Sequence, residues 1–570
     1  MTFRVPPVAA AFALTALSVV AACNRQPAPA PPANQSAHDA HGAPPPAKVV
    51  PRTAPLGNLG SYHRAIKTSN ADAQKFFDEG LTLLYGFNHE ESFKSFELAA
   101  AKDPASPMPH WGMSLALGTN INDTAPADRL KQAYTHLAEA GKRKSGGSDV
   151  EQGLVDALAK RYVADPTGDQ AVREQAYSDA MGALSKKFPA DNDVATLYAE
   201  SLMNLRPWRL YTKDGTPEPG TDKIVAALEA VMKRDPKHPG ANHYYIHAVE
   251  ASKSPDRALA QAGRLETLVP GAGHLVHMPA HIYIRTGQYA KSAKINADAA
   301  AVDEKYIAAT GATGLYPMMY YTHNVQFESA AAMFAGNLAQ ARAAGQRTVK
   351  FADPLADQML MIEPYAAQDL TVLVRFGQWP AILEAKPPAS TRLLQTAVYH
   401  FAHGAALAAT GKIAEAEADL AALKARAEKI PKDAMLGPSN SAADLAAVAI
   451  ADLTARIADA KGDTAAAIKG FTAAVAAEDK LGYNEPPDWL NPERERLGAV
   501  LLKAGRYADA EKVFRADLAK YTGNPRSLYG LYRALEGQKK NAATETKAAF
   551  DKAWANADVI LGDDLYGTRR

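Results

Sequence analysis

The chain has 570 residues, of which 63 are Lys or Arg and 62 are Asp or Glu, so its formal net charge is +1. Because neither sign dominates and no basic stripe stands out, the composition argues against a nucleic-acid partner. The single cysteine excludes an intrachain disulfide and a metal site built from several thiolates.

The first 22 residues have the composition of a secretory signal peptide. Arg4 precedes an apolar run from Val5 to Ala22, and small side chains stand just before Cys23. The run is shorter than the stretch of about 20 apolar residues that a membrane-spanning helix needs. We therefore expect residues 1–22 to direct export rather than to span the membrane.

Cys23 is predicted to carry a lipid anchor. The ending from Val20 to Cys23 resembles the bacterial lipobox, whose cysteine is lipidated and becomes the mature N-terminus. Asn24 follows, and a residue other than Asp there is typical of lipoproteins kept at the outer membrane. The interpretation is an outer membrane lipoprotein that faces the periplasm, with display at the cell surface left open. Ordinary cleavage beside an incidental cysteine is the alternative.

Residues 23–65 are predicted to form the lipidated start and a disordered Pro/Ala-rich tether. Nine prolines lie between Asn24 and Gly57, with almost no large apolar side chains. Such a stretch buries too little surface to offset the entropy lost on ordering. It would hold the folded region away from the bilayer.

After the tether, a Gly, a small residue, an aromatic residue and a Pro recur at regular intervals. One instance consists of Gly80, Ser92, Phe96, Ala99 and Pro104. Another consists of Leu497, Gly498, Leu501, Ala510 and Phe514. Turns of the form Gly-x-apolar recur at 287–289, 336–338, 377–379, 411–413 and 505–507. These intervals match the tetratricopeptide repeat, a helix-turn-helix unit of about 34 residues.

The predicted fold is all-α, a right-handed α-solenoid of tetratricopeptide-like helix-turn-helix repeats. Strand signals are poor throughout. The 505 residues after the tether (570 minus 65) exceed one compact core, and a repeat array extends its core lengthwise instead. The predicted parts are partly degenerate N-terminal repeats at 66–235, central repeats with a His-rich groove at 236–425, C-terminal repeats at 426–560 and a tail at 561–570.

Several longer segments resemble one family of bacterial tetratricopeptide lipoproteins whose function is unsettled. The clearest are Asn242 to Ser252 (NHYYIHAVEAS) and Gly273 to Gly287 (GHLVHMPAHIYIRTG). Further segments lie at 84–89, 111–112, 320–324, 485–487 and 527–531. The resemblance implies the fold but no reaction, so the function has to be argued from the residues.

Two histidine pairs repeat with the period of the solenoid. His243 and His247 precede His277 and His281 by 34 residues each. Residues one period apart occupy equivalent places on adjacent repeats that touch. We therefore expect these four histidines to be neighbours in space.

Three further residues join this group by helical spacing and register. Glu250 continues the i, i+4 pattern of the first pair to i+7, on the same helix face. His274 lies 13 residues before the turn glycine at 287, and His323 lies 13 before the one at 336. All are predicted to face inward, where the repeats form a concave groove. Pro279 implies either a late helix start near His277 or a kink there.

Three interpretations of this cluster stay open at the level of sequence. The histidines could be hydrogen-bonded packing residues. They could line a groove for a protein, peptide or small-molecule ligand, the common use of this architecture. They could hold Zn, Cu, Ni or Fe, which neutral imidazoles suit. The candidate metal ligands are His243, His247, His274, His277, His281 and His323, and Glu250 joins them in the candidate groove.

Catalysis has little support in the sequence, which lacks a nucleophile elbow, a phosphate loop and a complete dinucleotide fingerprint. We expect a binding or scaffold protein rather than an enzyme. The alternative is a transition-metal-binding protein, or a metal-dependent enzyme, that uses the same histidines.

Overall fold

The computed structural model describes residues 52–562, 564, 565 and 567–569. The predictions for the signal peptide, Cys23 and most of the tether fall on residues 1–51, outside the described residues. Among the described residues, no helix combines the length and apolarity that crossing a membrane requires. The described residues form mostly helices, and consecutive helices pack against each other. The all-α repeat prediction is confirmed.

The N-terminal helices begin after a cap formed by Asn70. Its side chain accepts hydrogen bonds from the backbone of Asp72 and Ala73, which satisfies donors that an uncapped helix would leave open. The helices of this part are α1 (Ala71–Tyr85), α2 (His89–Lys102), α3 (Met108–Ala116), α4 (Ala127–Arg143), α5 (Asp149–Leu158), α6 (Gln170–Lys187), α7 (Asn192–Asn204) and α8 (Thr221–Arg234).

The central helices carry most of the cluster predicted from the sequence. They are α9 (Pro239–Val249), α10 (Leu259–Leu268), α11 (Gly273–His277), α12 (Pro279–Arg285), α13 (Tyr289–Thr310), α14 (Thr322–Ala335), α15 (Leu338–Ala356), α16 (Glu363–Ala366), α17 (Gln368–Arg375), α18 (Trp379–Leu383), α19 (Leu393–Ala409) and α20 (Ile413–Ala427). A π-helical turn, Tyr316–Tyr321, leads directly into α14.

The C-terminal helices are α21 (Ala442–Ala460), α22 (Thr464–Glu478), α23 (Glu493–Lys503), α24 (Tyr507–Lys520), α25 (Pro525–Gly537) and α26 (Ala542–Ala553). They are followed by two short antiparallel strands, β1 (Val559–Leu561) and β2 (Gly567–Arg569). Strand signals in the sequence are poor, and a tail was predicted at 561–570. Leu565 is buried, and its carbonyl accepts a hydrogen bond from Arg526.

The same close packing recurs at the two ends of the array. The ring of Phe96 lies so close to Gly80 on α1 and Gly112 on α3 that a Cβ at either glycine would overlap it. Phe514 has the same relation to two glycines, 498 and 530, on α23 and α25. An aromatic residue of the second helix therefore wedges between the first helices of two successive repeats, as the repeat pattern predicts. The predicted Gly turns also form, and Gly287 has a φ of +78°.

Contacts distant in sequence bring other parts of the chain to the central repeats. Helix α1 packs on α9, and α14 packs on α25. The indole of Trp554 lies against Gly336, and the carboxylate of Asp558 accepts a hydrogen bond from the backbone of Leu338 at 2.6 Å. Residues of the first repeat and of the segment between α22 and α23 reach the site on α9 to α14.

The segment from 52 to 65 was predicted to belong to the tether, but it packs against the first repeats. Arg52 pairs with Glu79, and Arg64 with Asp193 at 2.7 Å. The proline-rich composition conceals these few charged anchors, whose partners lie far along the chain. The other predicted boundaries, at 235 and 425, stay predictions.

Candidate metal centre

The first histidine pair lies on α9, which starts with Pro239 at its first position. Proline suits this position because its missing N–H would have no partner there. His243 and His247 are one helical turn apart, with ring centroids separated by 4.9 Å. Both side chains therefore leave the same face of α9.

The second pair lies on a helix that is interrupted between its two members. Helix α11 ends at His277, α12 begins at Pro279, and Met278 between them keeps helical dihedrals. Of the two alternatives that Pro279 implied, a late helix start and a kink, the structure supports the kink. It leaves the rings of His277 and His281 with centroids 4.6 Å apart.

The two pairs meet, as the 34-residue period predicts. The rings of His247 and His281, which are equivalent positions, have centroids 5.4 Å apart. His274 faces His243 at 4.9 Å, and His323 at the start of α14 faces His277 at 4.8 Å. All six predicted histidines therefore belong to one cluster.

Four of the histidines have their Nδ1 atom held by an oxygen acceptor. Nδ1 of His243 donates to the backbone carbonyl of Tyr85 at 2.5 Å, and Nδ1 of His277 donates to Oδ1 of Asn296 at 2.5 Å. His247 and His281 direct Nδ1 at the two oxygens of Glu250, at 2.7 Å and 2.6 Å. This pattern fixes the tautomer and turns Nε2 inward, as in metal-ligating histidines.

The inward Nε2 atoms come close together. Nε2 of His243 lies 3.2 Å from Nε2 of His274, and Nε2 of His277 lies 2.6 Å from Nε2 of His281. Two nitrogens bound to one tetrahedral zinc ion at 2.0–2.1 Å would be about 3.3 Å apart. His243 and His274 have nearly that separation, whereas His277 and His281 are closer together.

Candidate ligand atoms form three groups, each with all its atoms within 4.8 Å of one another. The first contains His243, His247 and His274, and the second contains His277, His281 and His323. The third contains His247, Glu250, His281 and Glu485. We call the first two groups triad 1 and triad 2.

Glu250 and Glu485 form the acidic side of the site. Glu485 lies in the segment between α22 and α23, and its Oε2 is 2.6 Å from Nδ1 of His281. The hydroxyl of Tyr483, which has one hydrogen to donate, lies 3.1 Å from an oxygen of Glu250 and 2.9 Å from an oxygen of Glu485. Two carboxylates, one phenol and one imidazole thus make a closed hydrogen-bonded network.

Burial and charge set the protonation of the site. Burial lowers the pKa of His247 and of His323 to about 3, and lowers that of His243 well below its usual range. Burial alone would lower the pKa of His281 too, but the carboxylates of Glu485 and Glu250 outweigh it and raise that pKa to about 10. Burial and the neighbouring Glu250 raise the pKa of Glu485 to about 7.

Aromatic side chains cover the imidazoles. The ring of Phe87 is 4.6 Å from that of His243, and the ring of Trp208 is 5.7 Å from that of His247. Phe87 has a φ of +55° and Trp208 a φ of +61°, which bulky residues rarely adopt. Such conformations cost about 1–3 kcal/mol and cluster at functional sites.

The sequence predicted imidazoles that line a concave groove, but five of the six are buried. His243, His274, His277 and His281 are at most 2% exposed, and His247 is 6% exposed. Only His323 is partly exposed. Phe87, Trp208 and the 483–485 segment come from three distant parts of the chain, so helical register alone gave no sign of this cover.

The sequence also missed several members of the site. Asn296, Tyr483 and Glu485 were not singled out, nor was the carbonyl of Tyr85. Two of the family-like segments, 84–89 and 485–487, contain Tyr85, Phe87 and Glu485. The resemblance of those segments to the family was the one sequence feature that marked these residues, but nothing in it indicated contact with the histidines.

A cavity and a larger cleft adjoin the cluster. The cavity has a volume of about 20 Å³ and is lined by His247, Glu250, Trp208 and Tyr483, among others. The cleft has a volume of about 730 Å³, and Trp208 and Tyr483 line it as well. These two aromatic residues therefore stand between the cleft and the first histidine pair.

Several solved structures are similar to this chain. The human IFIT1 dimer with m7Gppp-AAAA matches at 13% identity over 86% of this chain and 91% of that chain, with a TM-score of 0.29. The APC/C hetero-tetramer Cut9–Hcn1 matches at 12% identity over 85% and 74%, with a TM-score of 0.27. The TPR domain of P58(IPK) matches at 12% identity over 82% and 99%, with a TM-score of 0.20. At these values the likeness carries no conclusion about function. No protein-family model matches the sequence, and no curated protein matches it.

Proposed function

We propose that this protein is a helical-repeat protein that binds a transition metal in its buried histidine cluster. The observation that carries the proposal is the shared orientation of four imidazoles. His243, His247, His277 and His281 each direct Nδ1 at an oxygen acceptor and turn Nε2 toward the interior of the cluster. Packing alone does not require four rings to be oriented alike.

The donor chemistry supports a borderline or soft divalent ion. Neutral imidazole is a ligand for Zn, Cu, Ni and Fe. Nε2 of His247 is buried and has no hydrogen-bond partner among the described residues. A buried polar atom without a partner costs about 1–3 kcal/mol. A metal ion at that nitrogen would remove this cost.

The test is elemental analysis of the full chain, purified through a tag that contains no histidine. We expect a transition metal to copurify, or to bind after addition of Zn(II), Cu(II), Ni(II) or Fe(II) at neutral pH. Binding to the native state stabilises it by about 2.7 kcal/mol at 100 times the dissociation constant. A protein that carries no metal and gains no thermal stability from any of the four ions contradicts the proposal.

A second candidate function is the binding of a protein, peptide or small-molecule ligand in the cleft. Its volume of about 730 Å³ and its aromatic lining, which includes Tyr211, Tyr289 and Tyr521, favour such a ligand. Native mass spectrometry separates the two functions. Bound organic mass that survives EDTA, and is lost when the exposed Arg209 of the cleft is changed to Glu, supports this candidate. If EDTA by itself removes all of the bound mass, the result contradicts an organic ligand in the cleft.

We also propose that Cys23 anchors the protein at the outer membrane, with the folded region in the periplasm. The support is the sequence before and after this cysteine. Cys23→Ala should move the protein from the membrane fraction to the soluble periplasm. A variant that stays in the membrane fraction contradicts a lipid anchor at this residue.

A further inference from the structure

The six histidines form two sets that are related by one repeat. His243 and His247 of triad 1 correspond to His277 and His281 of triad 2, 34 residues later in each case. In each triad an i, i+4 pair is joined by a third histidine located 13 residues before a turn glycine, at 287 or at 336. A shift by one repeat therefore converts triad 1 into triad 2.

The helices that supply each triad follow the same rule. Triad 1 takes its pair from α9 and its third member, His274, from α11. Triad 2 takes its pair from α11 and α12 and its third member, His323, from α14. Repeated elements stacked side by side place equivalent residues at matching positions along the array. If triad 1 can hold an ion, triad 2 has the same donors to hold another.

Three imidazoles satisfy most of the coordination of one tetrahedral ion and leave one position open. Six imidazoles exceed what one four-coordinate ion takes. Glu250 joins the two sets, since one of its oxygens is 2.7 Å from Nδ1 of His247 and the other 2.6 Å from Nδ1 of His281. It holds one ring of each triad and need not itself be a ligand.

We infer that the cluster is a dinuclear centre, with one transition-metal ion in each triad and Glu250 as the residue that positions a ring of both. The inference rests on the proposed metal-binding function. The adjacent cavity of about 20 Å³ limits the size of a ligand at an open coordination position near His247. It has room for about one water-sized molecule. The ligand class at that position is therefore water, hydroxide or a similarly small anion.

The test measures how many ions the full chain holds, using Cu(II) and, separately, Zn(II). Metal-free protein is loaded with excess ion, desalted and analysed for metal per chain. The expected result is two ions. One ion overturns the dinuclear inference and leaves the proposed function intact, whereas no bound ion contradicts both.

Single variants then assign the ions. His274→Ala and His323→Ala should each hold one ion, and the double variant none. His400→Ala is the matched control, because His400 pairs with Asp419 at 2.8 Å, outside the cluster, and this variant should hold two ions. Two ions in both single variants, or none in either of them, overturns the assignment of one ion to each triad. Circular dichroism checks that each variant is folded. If a variant is unfolded, the number of ions bound per wild-type chain decides the inference.

Discussion

His277 and His281 direct their Nε2 atoms at each other across 2.6 Å. The Nδ1 atom of each ring is directed at an oxygen acceptor, Asn296 for the first and Glu250 for the second. Each Nδ1 must therefore carry the hydrogen, and in neutral rings both Nε2 atoms would present a lone pair. A proton shared between them relieves the repulsion at this distance, whereas a metal ion that binds both nitrogens would require the rings to move apart to about 3.3 Å.

This relationship predicts different pH dependences for the two triads. The pKa of His281 is raised to about 10, so its imidazolium must lose a proton when triad 2 takes a metal. Affinity at triad 2 should rise by up to about tenfold per pH unit between pH 6 and 9, since one proton is released. In triad 1 the pKa of His247 is lowered to about 3, so that ring is already neutral over this range.

Calorimetric titration of the single variants in buffers of different ionisation enthalpy measures this release. His274→Ala retains triad 2 and should release about one proton per ion bound. His323→Ala retains triad 1 and should release almost none. Equal proton release from both variants would show that His281 is not the proton donor.

A second prediction concerns Glu250, which we assign a positioning role. Glu250→Gln keeps the size of the side chain but removes the charge and one acceptor. Loss of such an outer partner typically weakens metal affinity about 10–100-fold. Because Glu250 contacts a ring of each triad, the affinities of both ions should fall. Glu97→Gln, at an exposed residue of α2, is the control and should leave both unchanged. A fall at only one triad would contradict the shared role.

A third prediction concerns the cover over the first pair. Trp208 lies between the cleft and His247, with its ring 5.7 Å from the imidazole. Trp208→Gly removes the ring and relieves the positive φ of +61°, so the fold should tolerate it. Chelators should then remove metal faster, with little change in the number of ions held. Phe351→Ala changes a 40% exposed aromatic residue elsewhere and serves as the control. An unchanged rate of removal would show that metal leaves by another route.

A fourth prediction concerns the anchoring of the 52–65 segment. Arg64 is buried and pairs with Asp193 at 2.7 Å. Burial alone would raise the pKa of Asp193, but Arg64 and a hydrogen bond from His238 outweigh it and hold that pKa well below its usual range. The pair therefore stabilises the fold above pH values of about 4, the ordinary pKa of Asp, and this contribution is lost as the pH falls.

Arg64→Ala should lower the free energy of unfolding by about 3–5 kcal/mol at pH 7, because it leaves a buried charge without its partner. The loss should shrink as the pH falls below about 4, because Asp193 of the unfolded chain then becomes protonated and the wild type loses the stability that the pair contributes. Urea denaturation at several pH values measures both effects. Lys67→Ala changes an exposed side chain two residues after this segment and should cost less than about 0.5 kcal/mol. A loss that is independent of pH would contradict the role of Asp193.

The sequence predicted the features that depend on short, regular spacing. The 34-residue period placed His243 and His247 beside His277 and His281, and the turn glycines added His274 and His323. The wedge of Phe96 between two glycines follows from the repeat pattern in the same way. Each of these relations needs only the geometry of one helix pair and its neighbour.

Features that depend on how distant repeats meet could not be predicted. Tyr85 and Glu485 contact the cluster from sequence distances of 158 and 204 residues (243 minus 85, and 485 minus 281). Helical register specifies one face of a few repeats and does not specify which residues cover that face. The burial of the histidines follows from that cover, and burial lowers the pKa of His243, His247 and His323.

The most direct test of a metal centre in this cluster is anomalous diffraction from crystals of the metal-loaded protein, recorded at the absorption edge of the metal. The account predicts two peaks, one among the Nε2 atoms of His243, His247 and His274 and the other among those of His277, His281 and His323. Peaks confined to surface histidines, or inward Nε2 atoms bonded only to water and to each other, would contradict it.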